Sequence, residues 1–468
     1  MANSNNPLVA RKSEEYTQEE MIELFGINIL LPEDNDNYFK NIIGHTDIIK
    51  NFTQIVKILS GNESIEILGH NYHPSFLLMG EQGIGKALLT YSFAKEMNLP
   101  IVAFDTEKLL QDYSTKTMKG IKKLISQFPV CVVLFKEIDY GCQLEKDKAT
   151  TFFSRICSLM KNFPDSYFFA SISSAALFPP FLLSDEGFDT TISFNVPDPK
   201  ERELLINKFL TDIPHDPSLD IEKLAREFIG HTAGQIYDML KKSYVQCFLQ
   251  GQNFLTYEII NSTMYSEWFG KKIRKMSEME MRLTAYHEAG HVIAGYYGCP
   301  NYKVSKVEVV YRENSLGLTD HEADEEKLST TREDIKGAII TNLGGKVGEQ
   351  IMFNTSTSGV MQDLANAVTL AEAFVKRFGM DDTFGPIYIE DDIYYSDTLS
   401  AIADVKIQEL LINLENKTTQ IILEHKDKLI AIAEELIKKE TLYKDEILAI
   451  LENNDKKVTK KSSTKKHR

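Results

Sequence analysis

Ser75-Phe76-Leu77-Leu78-Met79 runs directly into Gly80-Glu81-Gln82-Gly83-Ile84-Gly85-Lys86-Ala87. A run of four apolar residues after Ser75, ending at a glycine, reads as a buried strand, and Ala87 to Met97, free of Gly and Pro, reads as the helix that follows it. The spacing GxxxxGK between strand and helix lets backbone N–H groups surround a phosphate, while the helix N-terminus and Lys86 supply positive potential. Outward from this unit, buried-strand patterns recur at Ile101 to Phe104, Cys131 to Phe135, Tyr167 to Ser171 and Thr190 to Phe194, with helical stretches between them. That alternation implies a parallel sheet wrapped by helices.

Two positions of the loop depart from what a phosphate-bound Mg²⁺ needs. Such sites use a Ser or Thr after the lysine and an Asp at the end of a neighbouring strand. Here the first is Ala87, and the strand from Cys131 ends in Lys136-Glu137-Ile138-Asp139, which puts a cation where the Asp belongs and keeps Glu137 to orient water. Gly80, Gly83, Gly85, Lys86, Ala87 and Glu137 therefore form a nucleotide site expected to accept ATP, to lack normal Mg²⁺ binding and to hydrolyse poorly. A loop of this shape kept only for folding is the other reading of the same residues.

After the sheet, Asp198-Pro199-Lys200-Glu201 supplies an N-cap, a proline at N1 and a glutamate at N3, and a helical stretch to about Trp268 reads as a small lid. Gly270 to Met276 is a basic linker. Beyond it the pattern is mainly helical, with one strand-like interruption at Lys306 to Thr319 and two amphipathic helices, Ser400 to His425 and Lys426 to Glu452. The expected layout is a polar N-terminal segment 1–38, an α/β nucleotide-binding core 39–196, a helical lid 197–269, a linker 270–279, a mainly α-helical domain 280–453 and a basic disordered tail 454–468.

Length and composition agree with two or three globular domains: 468 residues, 43% hydrophobic and 26% charged. No apolar stretch approaches the ~20 residues of a membrane helix, and Met1 to Ser13 holds no signal-like apolar core. Five cysteines without CxxC spacing fit a reducing compartment, so a cytoplasmic protein is expected. The net charge is −16, and Lys456 to Arg468 carries seven Lys and Arg and no acid, leaving the body at −16 − 7 = −23. An acidic body argues against general nucleic-acid binding.

The helical half contains His287-Glu288-Ala289-Gly290-His291 within a proline-free run, Leu283 to Tyr296. Histidines four apart share one helix face, so both imidazoles can reach one ion, with Glu288 beside them to take a proton from water. Zinc lowers a bound water's pKa to about 7, which yields a nucleophile at neutral pH and points to a zinc-dependent protease. A surface histidine pair is the bland alternative. Position 297 is Tyr, so a third histidine at the HExxHxxGxxH spacing is missing. Asp363, entering a helix with Leu364, Ala367, Leu370 and Ala371 after the small-residue turn Thr355 to Gly359, is the candidate third ligand, because an acid among apolar neighbours needs a partner.

With these residues assembled, the chain from about Asn41 to Glu452 resembles the FtsH family of AAA+ zinc metalloproteases. The likeness rests on Ile42-Ile43-Gly44, the phosphate loop, the His-Glu-Ala-Gly-His helix, Gly344-Gly345-Lys346, Ser358 to Asp363, Gly385-Pro386 and the paired C-terminal helices. It implies an α/β P-loop AAA+ domain with a small helical lid, followed by a mainly α-helical zinc metalloprotease domain. It also implies Zn²⁺ on His287, His291 and Asp363, Glu288 as general base, and polypeptide substrates laid along the edge strand Leu316 to Asp320. The ring would be a homo-hexamer, or a mixed ring with FtsH-like subunits that supply the membrane anchor absent here. The departures gather in the ATPase half: Gly187 and Thr190 stand where the family's trans-acting arginines belong, and Ser173 where its sensor asparagine falls. Tyr113 keeps the pore-loop aromatic, but Thr115 and Thr117 replace the expected glycines, and a half-buried surface aromatic is its other reading. Three functions remain open: a zinc endopeptidase on an inert ATPase scaffold, a non-hydrolysing pseudo-ATPase subunit of a mixed ring, and a conventional ATP-dependent protease.

Overall fold

The computed structural model describes residues 22–23, 25–60, 66–67, 70–71, 74–173, 179, 182, 187–270, 276–300, 302–312, 317–321, 329–389 and 395–453. The basic tail, most of the N-terminal segment, residues 271–275 of the linker and Leu316 lie outside them. The chain divides into two compact units, Met1–Ile260 and Asn261–Arg468.

In the first unit, strands β1 (Asn28–Leu30), β2 (Phe76–Met79), β3 (Ile101–Asp105), β4 (Val132–Lys136), β5 (Tyr167–Ile172) and β6 (Thr190–Ser193) form one sheet in the order β1-β3-β4-β5-β2-β6. All neighbours are parallel except β1, which runs antiparallel to β3 at the edge. The five expected strands are thus present to within a residue or two at each end. Strand residues alternate between two cores: Leu77, Val102, Phe104, Val133 and Phe135 enter one, while Phe76, Leu78, Ala103, Val132 and Leu134 enter the other. Side-chain direction flips at each residue of a strand, so a sheet apolar at every position must be covered on both faces. Helices α1 (Thr46–Leu59) and α2 (Lys86–Glu96) contribute Phe52, Leu89 and Phe93 to one side; α3 (Thr115–Ile125) and α4 (Lys146–Asn162) contribute Ile121, Phe152 and Ile156 to the other.

Strand β1 lies inside the stretch expected to be a polar N-terminal segment, 1–38. Phe25 and Ile27 are buried in the sheet's core and Asn28 pairs with Ala103, so the α/β layer begins before residue 39. The lid follows as α5 (Pro199–Leu210), α6 (Ile221–Glu227), α7 (Ala233–Leu249) and the start of α8 (Tyr257–Phe269). The Asp198–Glu201 capping box forms as its sequence predicts.

In the second unit, α9 (Glu278–Gly298) and α10 (Arg332–Phe353) pack side by side, each opened by a capping box, Ser277–Glu280 and Thr331–Asp334. Between them run β7 (Val304–Glu308) and β8 (Leu318–His321), so the single expected strand-like interruption is a pair of antiparallel strands. Helices α11 (Met361–Glu372) and α12 (Asp397–Glu424) follow. The second expected C-terminal helix is broken. Helix α13 (Lys426–Lys439) stops at Glu440, whose φ is +60°, and the chain forms β9 (Thr441–Tyr443) against β7 before α14 (Lys444–Asn453). Leu442 is fully buried by that pairing, which outweighs the helical propensity of the flanking residues.

Candidate active site and nucleotide loop

The approach of α9 to α10 is set by what is missing from their surfaces. A Cβ on Gly290 would come within 2.3 Å of the Gly344 carbonyl oxygen, and one on Gly344 within 2.5 Å of the Gly290 oxygen. On Gly345 it would lie 2.5 Å from the His287 ring and 2.7 Å from Nε2 of His291. The bare backbone of α10 therefore forms the floor beneath both imidazoles.

The imidazoles are aimed by their outer nitrogens. His287 Nδ1 lies 2.7 Å from Glu349 Oε1, and His291 Nδ1 lies 2.8 Å from the Thr341 carbonyl oxygen. Both partners can only accept, so each Nδ1 carries a proton, and Nε2 is the nitrogen left to offer a lone pair to a bound metal. Glu349 is buried and is itself held by the Thr357 N–H at 2.6 Å and the Thr357 hydroxyl at 3.2 Å. Thr357 caps the turn leading into α11, which carries Asp363 in its first turn.

The two Nε2 atoms are 3.0 Å apart, and Asp363 Oδ2 lies 3.1 Å from the first and 3.2 Å from the second. Among the described residues, these three side chains form the cluster that could hold a metal ion. The triangle is close to the ~3.4 Å edge of a tetrahedron with ~2.1 Å bonds, and two imidazoles with one carboxylate are a donor set zinc accepts. Burial would lower the His287 pKa, but its bonds to Asp363 and Glu349 and the Glu288 charge outweigh that and raise it to about 10. Burial would likewise raise Asp363, yet hydrogen bonds to both histidines hold it well below the ordinary carboxylate range. The site is thus built to gather positive charge.

Glu288 shares the same cleft of about 870 Å³. Its Oε2 accepts the Thr319 hydroxyl at 2.7 Å, from strand β8. Burial raises its proton affinity above the ordinary carboxylate, opposed by His287, His291 and the Thr319 bond. Gly317 leaves room for this carboxylate, since a Cβ there would meet Oε1 at 2.5 Å. All four residues singled out in this half are therefore brought together. Glu349, Thr341, Thr357 and Thr319 were missed: a buried glutamate eight residues before a Thr-rich turn carries no signal until the helices are paired.

In the first unit, Gly80, Gly83 and Gly85 have φ of +149°, +80° and +113°, in the region that glycine alone adopts readily, and α2 begins at Lys86. Lys86 Nζ donates to the Gly80 carbonyl and, at 3.0 Å, to that of Glu81. Ala87 is half-buried on α2. Glu137 sits just past β4 with φ +51°, its N–H donating to Ser171 Oγ at 2.8 Å. Lys136, ending β4, holds its ammonium 5.6 Å from the centre of the Tyr91 ring on α2. Gly187 and Thr190 offer no cation: a Cβ on Gly187 would lie 2.4 Å from the Leu182 carbonyl oxygen, and Thr190 donates to Asp189 at 2.8 Å. The Ser173 N–H donates to Asp139 at 2.9 Å. Tyr113 packs its ring against Phe152, 5.5 Å between centroids, beneath the Arg155 guanidinium. Tyr113 is half-buried there, a placement that leaves both readings of this residue standing.

A glycine-rich phosphate loop on a parallel sheet, followed by a helical unit with an HExxH site, defines an AAA+ metalloprotease. Family models agree: "ATPase family associated with various cellular activities (AAA)" matches residues 76–196, and "Peptidase family M41" matches residues 274–450. The ATP-dependent zinc metalloprotease FtsH 1 of Conexibacter woesei is 25% identical over 442 residues, spanning 88% of this chain and 68% of that protein. FtsH 3 of Phytoplasma mali is 26% identical over 436 residues, spanning 89% and 71%. A solved structure from work on katanin self-assembly superposes with a TM-score of 0.46 at 14% identity, over 55% of this chain and 93% of that one. The chain thus carries an AAA ATPase region followed by an M41 peptidase region, and along most of its length it is similar to FtsH zinc metalloproteases. Among the described residues no helix is long and apolar enough to cross a membrane.

Proposed function

We propose that the chain is a zinc metalloendopeptidase that cleaves polypeptides, with His287, His291 and Asp363 holding the metal and Glu288 as general base. The observation that carries this is the convergence of three donor atoms within 3.0–3.2 Å, with both histidine Nδ1 atoms tied to acceptors. Bound zinc would supply a Lewis acid that polarises the scissile carbonyl and acidifies water. Glu288 takes the proton from the attacking water and hands it to the departing amine. Burial raises its proton affinity, which favours holding that proton between the two transfers, and Thr319 fixes the carboxylate's direction. Glu349 and the Thr341 carbonyl hold the imidazoles in the liganding tautomer.

The first unit is read as an ATP-binding domain that hydrolyses poorly, built on Gly80, Gly83, Gly85, Lys86, Ala87 and Glu137, in a layout of an α/β core from β1 to 196, a lid 197–269, a linker 270–279 and a protease domain 280–453. Assembly as a homo-hexamer, or as a mixed ring with FtsH-like subunits, is the arrangement the likeness to FtsH proteases suggests. Five cysteines that form no disulfide suit a reducing, cytoplasmic setting.

The test is zinc content per chain together with casein cleavage, with and without ATP, beside Glu288→Gln. Expected are one zinc per chain, cleavage that persists without ATP, and a loss of about 10²–10⁴ in rate for the variant. Zinc near zero, or unchanged cleavage by Glu288→Gln, overturns the reading.

A further inference from the structure

The loop in the first unit keeps its shape and has lost the oxygen ligands for Mg²⁺. Ala87 carries no hydroxyl, and the residue ending β4 is Lys136 rather than an acid. Fitting Mg²⁺ here would set it beside an ammonium, so the residues present do not fit that ion.

The two changes point the same way. In P-loop enzymes the acid at this strand end belongs to the metal's shell and would repel phosphate without the metal. Replacing it by lysine turns a −1 position into +1 where the divalent cation is no longer held. The placement supports the exchange. Lys136 ends β4 against α2, and its ammonium meets the ring of Tyr91, one helical turn beyond Ala87 on the same face. Among the described residues that ring is its contact, and no carboxylate is paired with it. Lys86, by contrast, is surrounded by Glu81, Glu137 and Asp139, which oppose the effect of its burial. Without a metal, those three carboxylates would repel a polyphosphate that Lys86 alone must attract.

We infer that this domain binds nucleoside triphosphate without a divalent cation, the Lys136 ammonium pairing with terminal phosphate oxygens in the metal's place. The inference rests on the proposed nucleotide binding. It adds the charge state of the ligand, which is the free polyanion rather than its magnesium complex. A single ammonium neutralises less charge than Mg²⁺ and cannot bridge two phosphate groups as tightly, so the site retains nucleotide rather than turning it over.

The experiment is a titration of the full chain with a fluorescent ATP analogue, in metal-depleted buffer made without chelator so that the protease metal is left in place, and again with excess Mg²⁺. Expected is binding in depleted buffer that Mg²⁺ weakens or leaves unchanged. Lys136→Met, matched in length, should weaken it at least tenfold, and Lys136→Arg should retain it, with circular dichroism showing both variants folded. The pair Ala87→Thr with Lys136→Asp should convert the site to one that binds only with Mg²⁺. Binding by the unaltered chain only when Mg²⁺ is present, or equal binding by Lys136→Met, overturns the inference and leaves nucleotide binding standing. No binding in either buffer overturns both.

Discussion

Gly345 is the residue on which the metal site's dimensions depend most directly. Its missing side chain is the space the two imidazoles occupy, so Gly345→Ala should lower zinc affinity about 10–100-fold, the range seen when a ligand's support is disturbed. Competition against a metal indicator checks this, with casein cleavage falling in parallel. Glu349→Gln should weaken zinc binding by a similar factor, because it replaces the charged acceptor of the His287 Nδ1–H hydrogen bond with a neutral amide. Burial pushes the Cys131 thiol up to about 11, opposed only in part by its bond to Ser166. A thiol with a raised pKa stays neutral below that value, so at pH 8 Cys131 is a poor nucleophile and is expected to resist alkylation in the native protein. The half-buried Cys142 and Cys299 should react first; peptide mapping after iodoacetamide treatment reads the order.

Elements show where sequence patterns suffice and where they fail. His287 and His291 were legible because both lie on one helix at a spacing that forces a shared face, and the phosphate loop because its glycines sit between a strand and a helix. Asp363 was legible only as an acid in apolar company. Glu349 was not legible, since its role exists only once α10 lies against α9. The break between α13 and α14 was hidden because the residue leaving the helix in the left-handed region is Glu440, not the Gly or Asn that marks such a stop. Glu440→Gly should therefore raise stability by about 0.5–1 kcal/mol, the relief of a left-handed L-residue less glycine's larger entropy loss on folding. Denaturant unfolding measures it, and destabilisation would count against the strain argument. Gly290→Ala works in the opposite sense: a methyl group forced against the Gly344 carbonyl should cost about 1–3 kcal/mol and loosen the helix pair.

At the scale of the whole molecule, each of the two units has its own cores. A metal bound only by the second unit stabilises that unit alone, by about 2.7 kcal/mol when free zinc stands at 100 times its dissociation constant. Calorimetry should therefore show two transitions, of which chelation lowers one and leaves the other in place; a single transition that moves as a whole would contradict independent units. The glycine seam between α9 and α10 also constrains how this protein can vary over generations. Because the distance between two backbones, rather than any side chain, sets the site's width, no exchange at Gly290, Gly344 or Gly345 can be absorbed by repacking a neighbour. In a saturation library selected for cleavage, these columns should be nearly blank, as intolerant as the ligands although none of the three touches the metal. The first unit's Ala87 and Lys136 should accept replacements freely under the same selection, leaving one half of the gene rigidly spelled and the other open to drift.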